Sequence, residues 1–254
     1  FDVDRPNRIL KVGDRFGYDY NLNITRASSW IQSVFKFNKL DFFVAGTLSQ
    51  TSFYRQGNIR NGIFPNDSYG KGTANSFLNY AGKAGVTYKI NGRNYVYVNG
   101  AYLTRAPYFE NVYISPRTRN AQQSDLQSEE ILSGEVAYVL NTPTIKARVG
   151  GYYTQFKNGM DVMVFYHDFY QNFVNYAIRG IDRLHFGGEL GLEVKLSPTV
   201  TLNAAAAIGR YYFDSKQQAV VTVDNSAAVI GRDIIYMENF RLPSTPMEAY
   251  SASF

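Results

Sequence analysis

Residues 181–213 read IDRLHFGGELGLEVKLSPTVTLNAAAAIGRYYF. Ser197-Pro198 breaks the stretch in two, and each half alternates. Leu184, Phe186, Gly188, Leu190, Leu192, Val194 and Leu196 fall on one face of the first half. Arg183, His185, Gly187, Glu189, Gly191, Glu193 and Lys195 fall on the other. The second half sets Val200, Leu202, Ala204, Ala206 and Ile208 against Thr201, Asn203, Ala205, Ala207 and Gly209. Period-two alternation marks β-strands. Strands of this length exceed what a ~10 Å sandwich core needs and suit a tilted crossing of ~25–30 Å of lipid. Leu190 is therefore expected on a lipid face, and Arg183, His185, Glu189 and Glu193 toward a lumen.

The same unit recurs about every fifty residues. Asn38-Lys39 separates residues 28–37 from 40–53, and Asn141-Thr142-Pro143 separates 129–140 from 144–156. In YKINGRNYVYVNGAYLTRAPYF (88–109), Asn91-Gly92 predicts a type I′ hairpin turn, and the strand leaving it is stopped by Pro107. Between these tight turns lie long polar stretches near 55–75, 106–127, 158–180 and 214–244. Compact soluble domains rarely carry several structureless loops above ~12–15 residues. Short turns at one end and long loops at the other are the build of an outer-membrane barrel. The fold class is all-β, an antiparallel transmembrane β-barrel with long extracellular loops and short periplasmic turns. Asn66, Gln122 and Ser226 are expected outside, Asn91 and Thr142 on the periplasmic side. Tyr and Phe gather near strand ends, where membrane-interface girdles sit.

Composition narrows the functions. The 254 residues carry 45% hydrophobic but only 19% charged side chains, with 21 Tyr and 18 Phe. No stretch approaches the ~20 apolar residues of a spanning helix, which says nothing against a barrel. There is no cysteine, so disulfides, thiolate metal sites and cysteine nucleophiles are excluded. The net charge of +5 is dispersed, its densest cluster being Arg117-Thr118-Arg119, and no basic stripe for nucleic acid emerges. FDVDRPNRIL at the start has no signal-peptide pattern. About nine strands are expected, whereas single-chain bacterial barrels have even numbers, so the chain reads as part of a larger barrel.

RILKVGDRFGYDY (8–20), GNIRNGIFPNDSYGKG (57–72), INGRNYVYVNGAYLTRAPYFENVYISPRTRN (90–120) and FRLPSTPMEAY (240–250) resemble TonB-dependent outer-membrane receptors. The resemblance is to the kind with an N-terminal carboxypeptidase-like regulatory domain, and covers their later barrel strands. It implies a 22-stranded barrel blocked by a plug, with a TonB box coupling the proton gradient to import. Plug, TonB box and regulatory domain have no counterpart in these residues. The resemblance also implies the TonB complex, outer-membrane lipid and an extracellular ligand as partners, and admits a surface lipoprotein.

Chemistry-bearing patterns are sparse. His167 and His185 lie in no HxxxH or HxH arrangement, no G-x-S-x-G elbow occurs, and no phosphate loop is present, so no metal, cofactor or catalytic centre is expected. Glu189 and Glu193 are ~13 Å apart along a strand, too far for a glycosidase pair. They read as wall carboxylates offsetting Arg183 and Lys195. TRAPYFENVYISPRTRN (104–120) combines Arg105, Arg117 and Arg119 with Tyr108, Phe109 and Tyr113, a mix that stacks on and pairs with ring-bearing or anionic ligands. The same residues read more readily as a packed loop at the membrane rim, with Pro107 and Pro116 fixing its bends. Tyr166, Tyr170, Phe173 and Tyr176, in 158–180, are the stacking candidates for specificity, and 214–235 is a second such stretch. Three functions remain open: an energy-coupled importer of a metal chelate, vitamin, peptide or glycan; a passive porin; and a β-rich surface binding module.

Overall fold

In a computed structural model the described residues are 2–224 and 228–254. Ser226, expected on an outer loop, lies outside them. The described residues form one antiparallel sheet of 12 strands with a single short helix. Nine strands make the wall: β1 (Tyr20–Lys36), β2 (Leu40–Gly57), β4 (Asn75–Asn91), β5 (Asn94–Arg105), β6 (Glu129–Asn141), β7 (Ile145–His167), β8 (Asn172–Lys195), β9 (Thr201–Phe213) and β12 (Glu248–Ser253). The other three, β3 (Gly70–Lys71), β10 (Gln217–Val223) and β11 (Val229–Ile235), belong to the connections, as does α1 (Phe109–Val112).

Polar side chains close the short turns. Ser197 Oγ accepts from the amides of Thr199 and Val200. Thr142 Oγ1 accepts from the Ile145 amide. Asn91 Oδ1 accepts from the amides of Arg93 and Asn94. That last cap changes the expected turn. Neither Asn91 nor Gly92 has positive φ, so the turn is not type I′; Asn91 pairs with Asn94, and Ile90 bulges beside it. An Asx cap supplies locally what positive φ would have supplied.

Register fixes the faces, because residues directly opposite share a side. One row runs Tyr88–Val96–Tyr138–Val149–Leu190–Ala206–Tyr250. The adjacent row on the other face runs Thr87–Tyr97–Ala137–Gly150–Glu189–Ala207. Val98, Val136, Val149, Leu190 and Ile208 lie bare on the first face. Aromatic pairs border that apolar band: Phe35 stacks on Phe42 at 4.6 Å near the turns, and Tyr80 meets Tyr102 at 6.0 Å toward the loops. A bare apolar belt between aromatic borders has lipid as its matching solvent.

Two stretches expected as loops are sheet instead. β7 and β8 run on through 158–180, leaving only a turn at 168–171. Asn158 and Gly180, both at positive φ, take up the extra residues of two bulges, so pairing resumes beyond them. Residues 214–244 contain the β10–β11 hairpin. β8 therefore changes partner along one edge: Val174–Arg179 pairs with β10, and Arg183–Lys195 with β9. Ser215 Oγ stitches the junction, donating to the Gly180 carbonyl and accepting from the Asp182 amide.

Candidate ligand-binding face

The polar face of the wall is laced by ion pairs across strands. Glu189 accepts from Arg148 Nη1 at 2.9 Å, and Arg148 also pairs with Glu135 and donates to the Tyr97 hydroxyl. Glu193 takes Lys146 at 2.9 Å. Glu129, buried, joins Arg183 at 2.8 Å and Arg105. The hydrogen-bonded partners of Glu189 and Glu193 are thus on β7; Lys195 also offsets the charge of Glu193, whereas Arg183 pairs with Glu129. Cross-strand neighbours stand ~5 Å apart, closer than alternate residues of one strand. Arg183, His185, Glu189 and Glu193 share this face, with His185 packed between Phe156 at 4.9 Å and Tyr211 at 5.1 Å. Glycines make room for the rings: a Cβ on Gly187 would meet the Tyr152 hydroxyl and the Ile208 carbonyl.

The β5–β6 connection folds onto the loop end of this face. Val112 and Tyr113 are fully buried and pack on Phe53 of β2. The centre of the assembly is Arg55, only 2% exposed. Its Nε donates to the Pro116 carbonyl, and its Nη1 donates to the Ser68 carbonyl and Asn120 Oδ1. Its backbone amide donates to the Tyr113 hydroxyl at 2.9 Å, and its guanidinium lies 5.1 Å over the Tyr20 ring. Burial raises the pKa of the Tyr113 hydroxyl, and Arg55 partly offsets it. The Asn120 amide donates to the Asp67 carbonyl, and Ser115 Oγ to Asp224 Oδ1 at 2.9 Å. One buried cation thereby joins β2, the 58–69 connection and the 106–128 connection.

The sequence candidates divide accordingly. Tyr113 and Arg119 are enclosed, Arg119 over the Phe64 ring at 4.9 Å. Arg117 sits over Tyr18 at 5.3 Å. Phe109 tilts against Tyr113 at 6.1 Å. Arg105 and Tyr108, hydrogen-bonded at 2.9 Å, stand on the ridge between two clefts of about 660 and 480 Å³, and Arg117 is also exposed. Tyr166, Phe173 and Tyr176 lie on β7 and β8 near their tip, and Tyr170 lies in the 168–171 turn itself. There Tyr166 meets Phe173 edge-on at 5.6 Å, Phe165 stacks on Tyr176 at 5.2 Å, and Phe169 is 82% exposed. The structure does not bring the two aromatic groups together into one pocket. Sequence reasoning missed Arg55 and Glu129, which look like ordinary alternating polar residues. Nothing local distinguishes them from solvated positions.

No family model matches this chain, and no curated protein matches it. Among solved structures, copper transporter OprC superposes with a TM-score of 0.61 at 12% identity, over 80% of this chain and 34% of its own. The closed form of the ferric-catecholate import receptor Fiu from E. coli K12 superposes with a TM-score of 0.62 at 15% identity. That match covers 94% of this chain and 33% of Fiu. The chain spans about a third of the length of these two solved chains. Identity this low shows the fold, an antiparallel segment of β-barrel wall.

Proposed function

We propose that the chain is the later wall of a TonB-dependent outer-membrane receptor that imports a scarce ligand by energy coupling. The observation carrying this reading is the pairing of a lipid-matched belt on one face with an ion-paired, loop-covered lumen on the other. The likeness of its fold to a copper transporter and a ferric-catecholate import receptor supports the same class. In this reading the turns at 38–39, 91–92, 141–143 and 197–198 face the periplasm, and the connections face outside. β1 and β12, each paired on one edge, join further strands of the receptor, since lipid tolerates no open edge. The TonB complex acts through a plug contributed by the rest of the protein. The ligand class is a metal chelate, vitamin, peptide or glycan, and a surface lipoprotein is a further partner.

Planar bilayers test it. The purified full-length protein should insert and remain electrically silent, because a plugged importer opens only when energised. Steady ionic conductance would identify a porin instead, and recovery in the soluble fraction would identify a binding module.

A further inference from the structure

The smaller of the two clefts is lined by the polar face of β1, β2, β4 and β5 and by the start of the β5–β6 connection. Its volume is about 480 Å³, within the ~300–1,000 Å³ of small-molecule sites. Register arranges its floor. Thr47, Ser49 and Thr51 alternate along β2, so they share a face at ~6.6 Å intervals. Arg26 of β1 stands directly opposite Thr51. Ala81 of β4 stands opposite Thr47, and Lys83 follows Ala81 on the same face. The floor is therefore a row of three hydroxyls with an arginine at one end and a lysine near the other.

These groups have no partners within the wall. Among the described residues, neither cation and none of the three hydroxyls makes a side-chain hydrogen bond or an ion pair. Both cations are exposed, so a molecule entering the cleft reaches them. Elsewhere on the polar face Lys146, Arg148 and Arg183 are each answered by a wall carboxylate. Arg105, also in the lining, is answered by Glu129. The one carboxylate in the lining is Glu110, which is exposed and likewise unpaired. Two free cations against one free carboxylate leave an excess of positive charge, which in a concave site favours an anion. Each hydroxyl can both donate and accept, and none has a protein bond to give up first.

We infer that this cleft binds a compact hydroxyl-bearing oxyanion, of the sugar acid or sugar phosphate class. Its charged group meets Arg26 or Lys83, and its hydroxyls lie along Thr47, Ser49 and Thr51. The inference rests on the importer reading for its purpose and on the cleft alone for its chemistry.

Full-length protein in phosphatidylcholine nanodiscs, observed by saturation-transfer NMR, provides the test, with empty nanodiscs as the background. D-Glucuronate and D-glucose 6-phosphate should give the strongest signals, D-glucose a weaker one and D-glucosamine none, since the ring is kept and the charge is varied. The double variant Arg26→Gln, Lys83→Gln should weaken glucuronate by about five-fold, as for the loss of one exposed charged contact. Both side chains are exposed and unpaired, so this variant should fold as the parent does. Glu110→Gln should tighten glucuronate, because it removes the like charge. Ala81→Phe, which puts a ring beside the hydroxyl row and leaves every charge in place, should abolish the signal. Equal signals from all four probes, or undiminished glucuronate binding by the double variant or by Ala81→Phe, would each overturn the inference. So would no signal from any probe, the result expected if an acidic segment from the rest of the protein fills the cleft. None of these outcomes bears on bilayer silence, so a failed cleft leaves the importer reading standing, and conductance sinks that reading whatever the probes do.

Discussion

In residues 104–120 part of the aromatic and basic set is turned inward, Tyr113 onto Phe53 and Arg119 onto Phe64, with Arg55 beneath them, while Tyr108 and Arg117 stay exposed. In residues 162–178 the rings stack mainly on one another near an exposed hairpin tip. Both stretches are rich in aromatics. The first has two prolines, and its backbone and side chains bond to distant groups (the Pro116 carbonyl to Arg55, Asn111 to the Met160 carbonyl, Ser115 to Asp224), so it folds over the wall as a packed cap. The second alternates and contains no proline, so it remains strand. Aromatic content says that rings need a partner; the punctuation around them decides whether that partner is the protein's own interior or something outside it.

The contrast is broken most strongly at Arg55. Arg55→Met should destabilise the protein by about 3–5 kcal/mol, since it strands three acceptors in or beside the interior and each buried one costs ~1–3 kcal/mol. A urea refolding titration in lipid vesicles measures it. A change under about 1 kcal/mol would mean that the cap is not held through this residue.

The wall beneath both regions gives the next effect. Leu190→Arg places a charge in the apolar belt and should cost about 2–4 kcal/mol. Glu189→Gln, one residue away on the opposite face, should cost under about 1 kcal/mol, because Arg148 keeps Glu135 and the pair is half exposed. Equal losses in the same titration would reverse the assignment of faces.

Tyr113→Phe sharpens the comparison. It retains the ring on Phe53 and removes only the hydroxyl that accepts from the Arg55 amide, for about 1–2 kcal/mol. Amide hydrogen exchange at Arg55 should quicken while the rest of β2 stays protected. Unchanged exchange would assign the cap's stability to apolar packing alone.

Much of this was legible and some was not, for identifiable reasons. Wall strands, faces and short turns follow from alternation, which is local, and Leu190 and Glu189 lie on opposite faces as it requires. The continuation of β7 and β8 was hidden because Asn158-Gly159 and Gly180 are loop residues by type; here they are bulges, and Val162–His167 resumes a strand pattern beyond them. The Asx cap at Asn91 was hidden because Asn-Gly serves two turn chemistries, and only backbone dihedrals separate them. Arg105 and Tyr108 could be named as candidates from composition. Glu129 could not, because its burial comes with Arg105 and Arg183, 24 and 54 residues away in sequence.

The smallest effect falls at the hairpin tip. Phe169 is 82% exposed and makes a single edge contact, with Tyr170 at 5.1 Å. Phe169→Cys should therefore change stability by no more than about 0.5 kcal/mol, as at other surface positions without a special role. Since the chain has no cysteine of its own, the introduced thiol should be the only reactive one in this segment. On intact cells an impermeant maleimide should label it within the mixing time, and should label Asn66→Cys comparably, since that side chain is also exposed. Tyr113→Cys, enclosed beside Phe53, should stay unlabelled until denaturant is added. Asn91→Cys, at the far end of the strands, should react only once the outer membrane is breached. If position 169 is protected on intact cells while position 66 reacts, a partner covers the tip, and the aromatic cluster is an occupied surface. If positions 169 and 66 are both silent and 91 reacts, the protein lies the other way in the membrane. Rapid labelling at 113 would erase the distinction between an inward and an outward aromatic group, and with it the account of why two such similar stretches fold differently.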